Sequence, residues 1–327
     1  FYTQELPEDT KAFTGGVFTG MEFWRQSQMV FEERRRAFRT LLDEFEEGLL
    51  FVYYSTVDQG CHMLWHYFDA EHPIHEEEPF LKDGIRTIYE EIDQELGHLM
   101  GAVDDRTTVI VMSDHGFAPF YWQVNLNSWL AANSYVQLRD PSKRGGFYQF
   151  QNVDWSRTRA YALGLNGIYL NLKGREKEGI VEPSDYQSLA DQLERDLLAM
   201  VDPRNGNHPV SRVIQPRRDF HGPYKDQGPD LIVGYNRGYR SSWESPLGEF
   251  PRGIFLDNEE PWSGDHCIDS RIVPGTLVTN RRISIENPAL YDLTVAVLDE
   301  FGIEKTPEML GSDCLASGSS PGSDKSP

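Results

Sequence analysis

The sequence has little cysteine. Cys61, Cys267 and Cys314 are the three cysteines among 327 residues. A small secreted fold held together by disulfides needs a larger set, so a disulfide framework is excluded as the main source of stability. The sequence also has no run of eighteen apolar residues, the length that a membrane-spanning helix requires. We therefore predict a protein without a membrane span that folds around its own hydrophobic core.

Positive charge is also scarce. The chain has 31 lysines and arginines against 52 acidic residues, and its net charge is −21. This balance argues against binding a nucleic-acid polymer, because phosphate backbones are neutralised by basic side chains. A small phosphorylated substrate is compatible with it, since a bound cation can reverse the local field.

The amino end shows neither an initiator methionine nor a signal peptide. The first ten residues read like an interior stretch, so we expect further chain upstream of Phe1. The compartment stays open between cytoplasm and periplasm, and the oligomeric state stays open as well.

Five short, β-rich apolar runs predict strands covered on both faces. The runs are residues 49–55, 108–113, 167–172, 230–235 and 275–280. Apolar residues at helical spacing predict four helices before, between and after these runs. The markers of these helices are Phe31, Phe38, Leu42 and Phe45; Ile85, Ile88, Ile92, Leu96 and Leu99; Leu189, Leu193, Leu197 and Met200; and Leu290, Leu293, Val297 and Phe301. This alternation predicts an α/β fold with a mainly parallel sheet sandwiched between helices.

The segment 311–327 consists mostly of serine, glycine, proline and aspartate. Such a segment has too few apolar side chains to offset the entropy of ordering the chain. We predict a disordered tail there.

Acidic residues and histidines follow several of the predicted strands. Asp58 and His62 lie four residues apart, which places both on one face of a helical turn. Asp114 and His115 follow the second run, and His266 stands in a Gly-Asp-His sequence near the carboxyl end. In open α/β sheets, ligands bind beyond the carboxyl ends of the strands. Aspartate with histidine suits zinc or manganese.

Each of these residues alone has an ordinary explanation. A single aspartate after a strand is most often a helix cap or turn former, and a single histidine is most often a satisfied polar residue. Cys61 and Cys267 flank the motifs and are soft ligands in principle, although small buried side chains are the more common role of cysteine. The combination of three clusters at one predicted sheet edge favours a metal site.

The three motifs in this order resemble the alkaline phosphatase superfamily, in particular its type I phosphodiesterase/nucleotide pyrophosphatase branch. The metal core also resembles that of cofactor-independent phosphoglycerate mutase. The resemblance spans about Leu6 to Phe301. It implies an alkaline-phosphatase-like fold in which residues 1–310 form the carboxyl-terminal part of a catalytic domain, with the amino-terminal part of the core missing.

The resemblance also implies two divalent metal ions, with zinc favoured and manganese possible. Asp58, His62 and His266 would hold one ion, and Asp114 and His115 would hold the other. Two such ions can stabilise both the attacking and the leaving oxygen of an in-line phosphoryl displacement. The implied activity is hydrolysis of phosphoric diester or pyrophosphate bonds in a small substrate.

Three further residues are candidates for substrate binding: Asn166, Arg175 and Arg240. Arginine binds phosphate with two parallel hydrogen bonds, but surface charge and turn formation are equally good explanations for all three. The family's threonine or serine nucleophile and one aspartate ligand are not visible here. We expect the nucleophile upstream of Phe1 and expect this chain alone to be inactive. A phosphomutase and a noncatalytic protein of the same fold are the alternatives.

Overall fold

The computed structural model of the chain describes residues 7–143 and 148–315. The helices of this part are α1 (Thr10–Thr14), α2 (Gly20–Glu44), α3 (Ser55–Phe68), α4 (Gly84–Ala102), α5 (Leu126–Ala132), α6 (Tyr186–Leu198), α7 (Pro216–Asp219) and α8 (Leu290–Glu300). The strands are β1 (Ile110–Met112), β2 (Ala118–Val124), β3 (Ala160–Leu163), β4 (Gly167–Leu170), β5 (Val210–Ile214), β6 (Leu231–Tyr235), β7 (Gly238–Ser241), β8 (Phe255–Asp257), β9 (Gly264–Asp265) and β10 (Leu277–Thr279).

The four predicted helices are confirmed as α2, α4, α6 and α8. Helix α2 shows why the local signal was strong. Thr19 caps its first turn by accepting a hydrogen bond from the N–H of Glu22, whose carboxylate accepts one from the N–H of Thr19. This reciprocal capping satisfies two of the donors that a helix start leaves without partners.

The described strands form three sheets. One pairs β1 with β10, the second has the order β7-β2-β8 with β9 also on β2, and the third has the order β3-β4-β6-β5. The mainly parallel sheet is not confirmed. The pairing of β2 with β7 is parallel, whereas the other pairings between these ten strands are antiparallel. The tight connection from β3 to β4 requires an antiparallel pair, because parallel neighbours need a long crossover.

The first predicted strand, residues 49–55, is wrong for the described part of the chain. The run forms no strand there, and α3 already begins at Ser55. Leu49 and Phe51 are 66% and 71% exposed. A continuous apolar run forms a strand only when a neighbouring strand is available for pairing. The other four predicted runs contain β1, β4, β6 and β10, each shorter than predicted.

The chain divides into two compact units. The first unit comprises Phe1–Glu95 and Phe117–Val273, and the second comprises Leu96–Gly116 and Pro274–Pro327. In the first unit, one core cluster lies beneath the sheet β3-β4-β6-β5 and α6. A second cluster joins α2 to α3, where Phe23 and Trp24 pack with Met63 and Leu64. That packing fixes the helix that carries Asp58 and His62.

The second unit has a small core of its own. Leu293 and Ala296 of α8 pack there with Cys314 and Leu315, both of which are buried. Residues 311–315 of the predicted tail are therefore described and partly packed. The rest of the predicted tail, residues 316–327, lies outside the described residues, and both that prediction and the extent of the catalytic domain stay predictions.

Among the described residues, no helix has the length and apolar character needed to cross a membrane.

Candidate metal centre

Asp58, His62 and His266 come together within the first unit. Asp58 and His62 lie one turn apart on α3, and Asp58 Oδ1 is 3.7 Å from His62 Nε2. His266 directly follows β9, and its Nε2 lies 3.8 Å from the same Oδ1. Around a zinc ion with ligand distances of about 2.1 Å, neighbouring ligand atoms lie roughly 3.4 Å apart. The donor types suit a divalent metal ion, and the two distances from Asp58 Oδ1 are slightly longer than this spacing.

The His62 imidazole is in the form that a metal ligand needs. Its Nδ1 lies 2.7 Å from the carbonyl oxygen of Gly264 and therefore donates a hydrogen bond to it. The lone pair is left on Nε2, the atom that faces Asp58. Burial lowers the pKa of His62 to about 3, so the ring is neutral at physiological pH.

Aromatic side chains surround the two imidazoles. The Trp262 ring lies against His62, with ring centroids 3.8 Å apart. Phe117 contacts His62 edge-on at 4.8 Å and His266 at 5.4 Å. These rings restrict the orientation of both imidazoles.

Residues 262–267, which follow β8, approach α3 closely. Ser263 accepts a hydrogen bond at its Oγ from the backbone N–H of His66 on α3, 3.2 Å away. A Cβ at Gly264 would lie 2.4 Å from the carbonyl oxygen of Cys61 and 2.8 Å from the Trp65 ring. Only glycine permits this approach, because the nearest obstacle is backbone.

Asp265 lies beside the centre, but both of its carboxylate oxygens already have hydrogen-bond or ion-pair partners. Its Oδ1 accepts hydrogen bonds from the backbone N–H groups of His266 and Cys267, both 2.7 Å long. Its Oδ2 accepts one from Trp262 Nε1 at 2.7 Å and lies 2.8 Å from Arg240 Nε. Asp265, His266 and Cys267 could form a ligand group, with atoms within 4.8 Å of one another. That group is the poorer site, since the carboxylate is occupied and burial raises the pKa of Cys267 to about 12.

Asp114 and His115 belong to the second unit. They follow β1, and His115 Nε2 lies 3.5 Å from Asp114 Oδ2. The Nδ1 of His115 is 3.1 Å from the carbonyl oxygen of Gly116. Their role as ligands of a second metal ion stays a prediction.

The three predicted substrate-binding residues make internal contacts. Asn166 donates a hydrogen bond to the carbonyl oxygen of Val233, and Arg175 forms an ion pair with Asp230. Arg240 is buried next to Asp265, and its guanidinium lies 4.1 Å from the centroid of the Trp243 ring. The contact of these three residues with a substrate stays a prediction. Among the described contacts, Arg240 is the one of the three whose side chain lies against Asp265.

Sequence analysis missed the roles of Trp262 and Asp265. The short sequence Trp-Ser-Gly-Asp-His drew attention only through its histidine and the Gly-Asp-His pattern. A glycine two residues before a candidate ligand was the available signal, since it permits a close backbone approach. The stacking partner and the arginine partner could not be identified, because both contacts join distant parts of the chain.

The fold is mixed α/β, and aspartate and histidine side chains, as found together here, are common ligand types in metal sites. The model of one protein family, type I phosphodiesterase / nucleotide pyrophosphatase, matches residues 6–249. The match covers more than half of the chain, so the protein belongs to this family of the alkaline phosphatase superfamily. The predicted resemblance is thereby confirmed. The matched range includes Asp58 and His62 and ends before His266. Comparison with curated proteins gives no match.

Proposed function

We propose that the protein is a metal-dependent hydrolase of phosphoric diester or pyrophosphate bonds in a small phosphorylated substrate. One observation carries the proposal beyond family membership. In a chain of this family, a single carboxylate oxygen of Asp58 lies 3.7 Å and 3.8 Å from the Nε2 atoms of His62 and His266.

Asp58, His62 and His266 would hold one divalent ion. We propose Asp114 and His115 as ligands of a second ion, on the resemblance of their motif to that of the family and not on a measured distance. Aspartate and histidine ligands favour zinc and also suit manganese. When bound, the ions supply positive charge that stabilises the phosphoryl oxygens as negative charge builds up on them.

The residues of the chain prepare this centre. The hydrogen bond from His62 to Gly264 keeps one tautomer, and Trp262 holds the plane of the same ring. The net charge of −21 makes local positive charge a condition for binding an anionic substrate. We therefore expect both substrate binding and turnover to require the metal ion. The nucleophile is not assigned.

The test is hydrolysis of bis-p-nitrophenyl phosphate by the product of the complete gene, with added zinc, with manganese and with a chelator. Asp58→Ala and His266→Ala are compared with His208→Ala, which changes an exposed histidine outside the candidate centre. We expect chelation and the first two variants to reduce turnover by at least about 100-fold, and His208→Ala to retain it. Turnover that survives chelation and both variants would contradict the proposal.

A further inference from the structure

Two oppositely charged residues are buried beside the candidate centre. Arg240 is 3% exposed and Asp265 is 2% exposed, and the Nε of the arginine lies 2.8 Å from the Oδ2 of the aspartate. We infer that this pair is a positioning device for the metal ligands His62 and His266, and that Arg240 is not a contact for the substrate phosphate. The inference rests on the proposed function in taking these two histidines as ligands.

The first link runs from Asp265 to His266 through the backbone. Oδ1 accepts the N–H groups of His266 and Cys267, each at 2.7 Å. Two hydrogen bonds to one oxygen fix the direction in which the chain leaves β9. Because an ionised acceptor forms the stronger hydrogen bonds, a charged Asp265 fixes the starting point of the His266 side chain.

The second link runs from Asp265 to His62 through Trp262. Oδ2 accepts a hydrogen bond from Trp262 Nε1 at 2.7 Å, and the Trp262 ring lies 3.8 Å from the His62 ring. The same carboxylate therefore acts on both imidazoles, on one through the backbone and on the other through an indole ring. Such outer contacts normally fix the orientation of metal-ligating histidines.

The third link is the contribution of Arg240. Both side chains are almost fully buried, and Arg240 Nε lies 2.8 Å from Asp265 Oδ2, so the arginine supplies the counter-charge that a buried carboxylate needs. No acceptor among the described residues lies in line with the N–H at Nε, so the contact is chiefly between charges. Arg240 thus balances the charge of the carboxylate in its buried position.

Arg240 is itself held in place away from solvent. Its Nη1 donates a hydrogen bond to the carbonyl oxygen of Ser241, and its guanidinium lies over the rings of Trp243 and Phe120 at 4.1 Å and 5.2 Å. To reach a substrate phosphate it would have to leave Asp265 without its counter-charge. A lysine cannot reproduce the planar stacking or the fork of donors.

A second arginine–aspartate pair in the same unit, with a buried carboxylate and a partly exposed arginine, offers a control. Asp230 is 2% exposed, and its Oδ2 lies 2.6 Å from Arg175 Nη2 and also accepts the N–H of Leu170. Both pairs join an arginine to a buried aspartate that also accepts a backbone N–H. For Asp230 that N–H belongs to Leu170 in β4 and not to a candidate metal ligand. None of these contacts involves the residues around the candidate centre.

The experiment compares Asp265→Asn and Arg240→Lys with Asp230→Asn and Arg175→Lys. The dissociation constant for Zn²⁺ is measured by competition with a chromophoric chelator, and the visible spectrum of the Co²⁺-loaded protein reports the ligand geometry. We expect the first two variants to bind Zn²⁺ about 10- to 100-fold more weakly and to show an altered Co²⁺ spectrum. The control variants should bind within about twofold of the wild type even where they lose stability. For the complete gene product, Arg240→Lys should lower kcat with little change in KM.

Trp262→Phe provides a second test if Asp265→Asn does not fold. It keeps a ring against His62 and removes the N–H that Asp265 accepts, so we expect a loss of Zn²⁺ affinity of about tenfold. Wild-type affinity and an unchanged Co²⁺ spectrum in Arg240→Lys and Trp262→Phe would overturn the inference. So would a raised KM in Arg240→Lys with metal affinity unchanged. A wild-type protein that binds no metal would instead refute the proposed function, which distinguishes the two failures.

Discussion

Two arginine–aspartate pairs in this protein, each with a buried carboxylate, have similar chemistry and different surroundings. Asp265 accepts hydrogen bonds from the backbone of His266, whereas Asp230 accepts one from the backbone of Leu170 in β4. The ion pair itself therefore does not reveal its role. The role depends on which backbone N–H groups the carboxylate accepts. Asp230 supports a strand in this way, and Asp265 supports a candidate ligand.

The same contrast extends to the regions around the pairs. The metal region, defined as α3 and residues 262–267, packs backbone against backbone at Gly264 and contains the buried His62 and His66. The antiparallel sheet, defined as β3, β4, β6 and β5, packs through side chains over a large apolar core. The metal region should therefore tolerate changes of volume and of protonation less well.

The largest expected difference comes from adding one methyl group to a glycine in each region. In Gly264→Ala the new Cβ would lie 2.4 Å from the carbonyl oxygen of Cys61, and in Gly234→Ala it would lie 3.2 Å from that of Arg212. We expect losses of about 3 and about 1 kcal/mol in the free energy of unfolding. Urea unfolding in the presence of chelator measures both. Equal losses would show that the two regions pack with similar tolerance.

Asp230→Asn should separate stability from metal binding. The change leaves Arg175 without its buried counter-charge. Because Arg175 is partly exposed, we expect the free energy of unfolding to fall by about 2–3 kcal/mol, which is at or below the lower end for breaking a buried pair. The metal affinity should stay unchanged. Chemical denaturation gives the first quantity and chelator competition the second. A large loss of affinity would mean that the sheet and the metal region do not differ as described.

Acid should destabilise the metal region through His66. Burial, with the neighbouring His72 and His75, lowers the pKa of His66 to about 3, against about 6.5 in an unfolded chain. Below pH 6.5 the unfolded chain takes up a proton that the folded protein does not, so stability is lost as the pH falls from 6.5 towards 3. At pH 5 the expected loss is about 2 kcal/mol.

His66→Gln should flatten this part of the pH profile, measured by unfolding with chelator present. His208→Gln serves as its control, because His208 is exposed and lies in the loop before β5. An acid slope that is the same in both variants would remove His66 from the explanation.

The smallest expected effect concerns the side chain that joins the two regions. Asn166 Nδ2 donates hydrogen bonds to the carbonyl oxygens of Val233 in β6 and, at 3.3 Å, of Cys267. Asn166→Ala should cost about 1 kcal/mol and weaken Zn²⁺ binding by no more than about threefold, since the longer bond is the one to the metal region. Denaturation and metal titration of the same sample check both. A tenfold loss of affinity would make Asn166 part of the positioning contacts.

Four of the eight α-helices in the described part of the chain, and the placement of Asp58 beside His62, could be predicted from the sequence. Asp58 and His62 lie on one turn of α3 because helical spacing is local and fixes which residues share a face. The placement of His266 beside them depended on recognising three motifs in a particular order. Sequence spacing does not predict that motifs so far apart in the chain lie close together in the fold.

Long-range pairing could not be predicted. Strand direction depends on which segments meet, and an apolar run such as 167–170 reads the same in a parallel and in an antiparallel sheet. Arg240 looked like a phosphate ligand because arginine suits that role. Its burial against Asp265 and Trp243, which the structure alone reveals, indicates a role other than binding phosphate.

The most direct test of the metal centre is a Zn²⁺ competition titration of the wild type, His62→Ala and His72→Ala. Both histidines are buried, but both ring nitrogens of His72 are engaged by the backbone of Phe120 and Ile74. The account predicts that His62→Ala lowers the affinity by at least about 100-fold and that folded His72→Ala keeps it within a few-fold. Undiminished Zn²⁺ affinity in folded His62→Ala would contradict the account.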